Sequence, residues 1–229
     1  MRVLACSATC ILVLVTLVVT MAVGQIPRNS EGDEASFFMG RLRYSKNDGN
    51  DCAGVGRNMA QLVSQVSTVP IRDERRLALT DRELFSIPFL FMNGHHDFVL
   101  DDRELANLRI YLDHGGFLFA SGCCTNPGFP RAWRRELSRL FPQEEVQALP
   151  YDHPIYHVFY EVSSIRNLHE NREIFLEGLF HEGRLVAVIC EDGLCCAFAM
   201  DNRCNVGHGV SPEDGKKLAL NIAVYAMTH

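Results

Sequence analysis

The segment IPFLFMNGHHDF (residues 87–98) and the segment GGFLFASGCCTNPG (residues 115–128) share one pattern. Each runs from unbroken apolar residues into glycine and then into reactive polar side chains. Apolar runs without alternation are typical of central parallel strands that are covered on both faces. Because ligands of open α/β sheets bind outside the carboxyl ends of the strands, we expect the two polar ends to share one edge of a sheet.

Helical patterns surround these two predicted strands. Asp101 and Glu104 form an Asp-led capping box between them, and glycines 115 and 116 end that helix. Residues 55–66 and 130–141 each carry an apolar stripe at helical spacing. The alternation of strand and helix predicts an α/β fold with a doubly wound, mostly parallel sheet.

Beyond residue 150 the pattern changes to short apolar runs separated by turn residues, which predicts antiparallel additions in the C-terminal half. Asp192-Gly193 lies between two such runs and predicts a two-residue hairpin. That hairpin would place Cys190 opposite Cys195. A final helix is expected to begin with Ser211 as its N-cap and Pro212 at its first position.

The N-terminal residues have the features of a cleavable signal peptide over 1–24. Arg2 precedes an apolar run, and Ala22 and Gly24 form a small-residue cleavage pattern. The run is shorter than the roughly 20 residues that span a bilayer. We therefore expect export to the periplasm or the extracellular space, without an integral membrane span after cleavage. A flexible segment over 25–36 and a single α/β domain over 37–229 would follow.

Composition limits the classes of partner and cofactor. The formal net charge is −6, which argues against nucleic acid as a partner because its capture needs clustered basic residues. A small ligand or an envelope protein is the expected partner. No complete dinucleotide fingerprint occurs, and no cofactor is expected.

Nine cysteines are present, and seven remain after the predicted leader. For an exported chain this odd number predicts at least one disulfide and a leftover thiol, although cysteines are equally typical of small buried hydrophobic positions.

The polar ends of the two segments supply candidate catalytic residues. Cys123 or Cys124 would be the nucleophile, and His95 or His96 would be the base that stabilises the thiolate. Further candidates for a pocket are Asp97, Ser121, Asp152 and His153. The alternative is a packed loop without catalysis, since such corners occur in folds with unrelated functions.

Metal binding is a further hypothesis, with His96, Asp97 and His153 as ligands. However, the chain contains no H-E-x-x-H and no paired C-x-x-C, and adjacent histidines at a strand end point to opposite sides. The alternative is a hydrogen-bonded loop. Because His153 precedes Pro154 and is held extended, we expect it to fix a turn.

The chain resembles a known family through a succession of motifs, which are FxxGRLRYS, PFLFMNGHHDF, LRIYLDHGGFLFASGCC, RELSRLFP, DHPIYHVFY, EGLFHEGRLVAVICEDGLCCAF and NIAVYAMTH. They are similar to the bacterial family known as domain of unknown function 4159, from about residue 37 to residue 229. The resemblance implies a class I glutamine amidotransferase-like, flavodoxin-like fold, and it brings no established activity. In enzymes of that fold the nucleophilic cysteine lies on a G-x-C-x-G turn, from which Gly122-Cys123-Cys124-Thr125 departs.

Taken together, these patterns favour a non-catalytic ligand-binding or interaction module of the cell envelope. A Cys/His-dependent amidohydrolase or acyl transferase is the alternative, and a metal-binding domain is the second alternative.

Overall fold

The computed structural model describes residues 36–44, 54–123, 126–198 and 209–229. The predicted signal peptide, nearly all of the predicted flexible segment and Cys124 lie outside these ranges. The helices and strands of the fold lie within these described ranges.

These residues form an α/β fold around one mixed sheet of seven strands. The strands are β1 Gly40–Arg43, β2 Arg75–Ala78, β3 Phe89–Gly94, β4 Phe117–Gly122, β5 Gln147–Ala148, β6 Glu177–His181 and β7 Arg184–Cys190. Their order is β2-β1-β3-β4-β7-β6-β5. The first five in that order run parallel, whereas β6 pairs antiparallel with β7 and β5 pairs antiparallel with β6. The predicted fold class, including its antiparallel additions, is confirmed.

Helices connect and cover the strands. They are α1 Val55–Val66, α2 Asp102–Asp113, α3 Gly128–Leu140, α4 Leu194–Ala197 and α5 Pro212–Thr228, and two 3-10 helices span Arg82–Ser86 and Pro154–Tyr156. None of the helices in the described part of the chain has the length and apolarity that a bilayer crossing requires.

The core lies on both faces of the sheet, because successive strand residues point to opposite sides. On β3, Phe89 and Phe91 pack in a cluster with residues of α1 and α5. Leu90 and Met92 pack in a second cluster with residues of α2 and α3. Two apolar layers therefore enclose the central strands, which explains why their sequences lack alternation.

The hairpin predicted at Asp192-Gly193 is wrong. The chain leaves β7 at Cys190, and Gly193 adopts a left-handed conformation with φ 71° before the short helix α4. Helix α4 packs closely on α5, where a Cβ added at Gly215 would lie 2.4 Å from the Ala197 Cβ. Packing against α5 thus prevails over the local hairpin signal. No disulfide joins Cys190 and Cys195 in this structure.

Candidate functional site

The two polar segments end on the same edge of the sheet. Strands β3 and β4 are parallel neighbours, with Asn93 beside Ser121 and Gly94 beside Gly122. The backbone N–H of Cys123 donates to the Gly94 carbonyl at 3.0 Å, which continues the pairing past the strand ends. This juxtaposition is the one that the sequence predicted.

A buried polar chain lies just below this edge. Arg41 on β1 is 2% exposed, and its Nη2 donates to the Oδ1 of Asn93 on β3 at 3.4 Å. Its Nη1 lies 3.8 Å from the Glu74 Oε1. The other oxygen of Glu74 accepts from the backbone N–H of Gly56 at 3.0 Å, in the first turn of α1. These contacts join two strands and a helix through one buried guanidinium.

Cys123 lies at the inner end of this chain. Its side chain is 0% exposed and belongs to the core layer of α1 and α5. The Asn93 Nδ2 donates to the Cys123 Sγ at 3.1 Å, and the Cys195 Sγ lies 3.7 Å from the same sulfur. Ser121 accepts a hydrogen bond at 3.1 Å from the backbone N–H of Cys195, so its hydroxyl holds the start of α4 against β4.

The histidine segment lies at the surface beside α3. His95 is half-buried, whereas His96 and Asp97 are exposed. The His95 carbonyl accepts from the Phe129 N–H at 3.2 Å. The Asp97 carboxylate pairs with the Arg135 Nη1 at 3.0 and 3.1 Å. The structure therefore places His95, His96 and Asp97 at the surface, and we call these three residues the outer edge. The sulfur of Cys123, in contrast, is enclosed within the core.

His153 fixes a turn, as the sequence predicted. Its Nδ1 accepts from the Ile155 N–H at 3.2 Å and caps the 3-10 helix that begins at Pro154. The ring packs 5.8 Å from that of Phe180 on β6 and 5.6 Å from that of Tyr225 on α5. Burial lowers the pKa of His153 below 6.5, although neighbouring Asp152, which is exposed, acts in the opposite direction.

The metal hypothesis gains no support from the described residues, which contain no group of three or more His, Cys, Asp or Glu side chains that could hold a metal ion. Asp97 contacts α3, and His153 contacts β6 and α5. The three ligands proposed from the sequence are thus not gathered into one cluster.

Asp192, just past the end of β7, is a buried acid, although its Asp-Gly sequence predicts only a turn residue. Its Oδ1 accepts from the Asn167 Nδ2 at 2.9 Å, and the Arg172 guanidinium pairs with both carboxylate oxygens. Burial raises the pKa of Asp192, and Asn167 and Arg172 oppose this shift. Its role is to hold Asn167 and Arg172, which lie in the region before β6, on the end of β7.

Arg41 and Asn93 were also missed. The sequence did contain a signal for them, because each is a polar residue at a strand position where a buried side chain is expected. Buried polar groups require hydrogen-bond partners, so such a residue indicates a buried polar contact.

A cavity lies at the other end of the central strands. It has a volume of about 790 Å³ and is lined by residues that precede β3 and β4, among them Ile87, Pro88 and Gly116, together with Ile110, Tyr111 and His114. None of the residues proposed from the sequence lines this cavity.

Comparison with known proteins identifies a family without an assigned activity. A family model described as "Domain of unknown function (DUF4159)" matches residues 39–227. The chain is also similar to Protein SPIRRIG of Arabidopsis thaliana, with 28% identity over 99 residues. That match covers 43% of this chain and 2% of the plant protein. So small a share of the relative conveys no activity to this chain.

Proposed function

This chain belongs to the DUF4159 family of domains of unknown function, and from that premise we propose that it is a non-catalytic binding domain of the bacterial cell envelope. The observation that carries the proposal is the complete burial of the Cys123 sulfur. A catalytic thiol must reach its substrate, and a base must lie within hydrogen-bond reach of the proton that it removes. Cys123 instead packs among core residues of α1 and α5.

The surroundings of Cys123 also favour neutral thiols. Apolar burial disfavours a thiolate, because the charged form loses its hydration. On the neighbouring strand, burial raises the pKa of Cys190 to about 12. This layer of the core therefore favours protonated sulfur over a reactive anion.

Binding is assigned to the outer edge formed by His95, His96 and Asp97. Open α/β sheets bind ligands outside the carboxyl ends of their strands, and β3 ends directly before these residues. The Arg135 guanidinium holds the Asp97 carboxylate, while His96 is exposed. Imidazole nitrogens pair with carboxylates and amides, so the expected ligand is a small polar molecule, or an envelope protein, that presents such groups. The leader pattern over residues 1–24 supports export to this location.

Alkylation of the native chain tests the non-catalytic assignment. We expect iodoacetamide to leave Cys123 of the fully reduced protein unmodified while the chain is folded and to modify it fully once denaturant is added, as read by peptide mass spectrometry. Rapid modification of Cys123 in the folded chain, at a rate near that of a free thiol, would overturn the assignment.

A thermal-shift panel of small carboxylic acids and amides tests the binding edge. A compound that binds there raises the midpoint of unfolding of the parent protein, and the shift is lost in the double variant His95→Ala/His96→Ala. His114→Ala is the matched control, since His114 is exposed and lines the cavity at the other end of the strands. A shift that persists in the double variant would place the ligand elsewhere.

Thiol-dependent amide hydrolysis or acyl transfer is a second candidate function, favoured by one contact. The Asn93 Nδ2 donates to the Cys123 Sγ at 3.1 Å, and a hydrogen bond to sulfur favours its charged form. If this function is correct, the parent protein hydrolyses an amide substrate. Cys123→Ala then abolishes the turnover, whereas Cys190→Ala retains it. Absence of turnover with glutamine and with simple peptide amides would favour the binding domain.

A further inference from the structure

We propose that Cys123 and Cys195 form a disulfide when the chain folds in an oxidising compartment. Their sulfurs lie 3.7 Å apart, and both residues are buried. A disulfide bond is about 2.05 Å long, so the two sulfurs need to approach by about 1.6 Å. This pair differs from the Cys190–Cys195 pair that the hairpin pattern suggested.

The backbone around the two cysteines is already held together. The Cys195 N–H donates to the Ser121 Oγ at 3.1 Å, which fixes the start of α4 beside the end of β4. The Cys123 N–H donates to the Gly94 carbonyl at 3.0 Å, which fixes the backbone of Cys123 beside the end of β3. Rotation of the two side chains, with small backbone adjustments, is therefore what the closure of the bond requires.

The bond forms by thiol–disulfide exchange with an external disulfide such as oxidised glutathione. The thiolate of one cysteine attacks a glutathione sulfur, which forms a mixed disulfide and releases one glutathione thiolate. The thiolate of the second cysteine then attacks the protein sulfur of that mixed disulfide and displaces the second glutathione. Two protein thiols are oxidised, one glutathione disulfide is reduced to two thiols, and the protons pass to the departing thiolates.

Burial sets the time at which this exchange takes place. Both sulfurs are 0% exposed in the folded chain, so the exchange occurs while the chain folds, before α4 and α5 close over the end of β4. Once formed, the bond links the residue that follows β4 to α4 and closes a loop that contains β5, β6 and β7. The proposal concerns the two sulfurs alone and stands whether or not the outer edge binds a ligand.

Refolding in a glutathione redox buffer tests the proposal on the full chain. Free thiols are trapped with N-ethylmaleimide, and the cross-linked peptides are sequenced by fragmentation, because Cys124 and Cys196 lie directly beside the two proposed partners. We expect a Cys123–Cys195 link. We also expect the midpoint of thermal unfolding to exceed that of the reduced protein by about 5 to 15 °C, as the closure of a long loop implies.

Single variants separate this pair from its neighbours. Cys123→Ala and Cys195→Ala each abolish the oxidation-dependent rise in the midpoint, whereas Cys190→Ala and Cys196→Ala retain it. The mapping on the unsubstituted chain stands by itself where a variant fails to fold. Free Cys123 and Cys195 after refolding, or a link from either one to a different cysteine, would refute the proposal.

Discussion

Single polar side chains connect the layers of this molecule at the scale of individual residues. The Arg41 guanidinium is buried between the Glu74 carboxylate and the Asn93 amide. Removal of one partner from a buried charge typically costs about 3–5 kcal/mol, because the remaining charge loses its compensation. Arg41 thereby ties β1 to β3, and Glu74 extends the connection to α1 through the Gly56 N–H.

His153 makes stability depend on pH, because its cap requires an unprotonated Nδ1. Burial is the main cause that lowers its pKa below 6.5, and His229 lowers it further against the opposing effect of Asp152. The unfolded chain therefore binds the proton more tightly than the folded chain, and stability falls as the pH is lowered from about 6.5 through the pKa of the folded state. Relative to His153→Asn, the parent should lose unfolding free energy between pH 7 and pH 5, because only the parent has a histidine at this position that takes up a proton on unfolding.

Denaturant unfolding at both pH values measures this difference. Asparagine is a good N-cap that does not titrate. The variant therefore keeps the turn and loses the part of the pH dependence of stability that comes from His153. His96→Asn is the control, since it replaces an exposed histidine that makes no such cap. Equal pH dependence in the parent and in His153→Asn would show that this cap does not control stability.

At the scale of helices and strands, local sequence signals determine where some elements begin, whereas tertiary packing determines the structure of others. The capping residues at Asp101 and Ser211 hold α2 and α5 as predicted, because the partner of each cap lies three residues away. Asp192-Gly193 failed as a hairpin signal. Its carboxylate bonds Asn167, which is 25 residues distant, and α4 packs on α5. Contacts at such separation leave no local periodicity in the sequence, and these contacts override the turn propensity.

The capping box of α2 offers a test of whether local sequence signals determine where a helix begins. Asp101 Oδ1 accepts from the Glu104 N–H at 2.8 Å, and Glu104 Oε2 accepts from the Asp101 N–H at 3.0 Å. Asp101→Ala leaves the Glu104 N–H without its side-chain acceptor and should lower the unfolding free energy by about 1–2 kcal/mol. The matched control is Asp102→Ala, which removes a fully exposed carboxylate from the adjacent position. Urea unfolding curves compare the two, and equal losses would refute the role of the cap.

At the scale of the whole molecule, the parallel sheet and the shared edge of β3 and β4 could be predicted because unbroken apolar runs report burial on both faces. The burial of each candidate residue could not be predicted in this way. His95 and Cys123 each follow a strand end. The former meets α3 at the surface, while the latter meets Asn93 and Cys195, 30 and 72 residues away. Which layer receives a side chain depends on helices that pack from distant parts of the chain.

One substitution tests whether both layers belong to a single cooperative domain, as predicted for residues 37–229. Phe119 on β4 is fully buried in the layer of α1 and α5, with its ring 5.1 Å from that of Phe91. Phe119→Ala should lower the unfolding free energy by about 3–5 kcal/mol through loss of burial and creation of a cavity. Trp133, the single tryptophan of the chain, lies in the opposite layer and reports that layer by fluorescence.

If the sheet couples the two layers, tryptophan fluorescence and far-UV circular dichroism of Phe119→Ala shift together, by about 10 °C in the midpoint of thermal unfolding. The control Phe159→Ala truncates a phenylalanine that is 44% exposed, and it should leave both midpoints within about 2 °C of the parent. A fluorescence midpoint that stays at the parent value while the dichroism midpoint falls would show that the layers unfold separately. The domain would then contain two cooperative units that share one sheet.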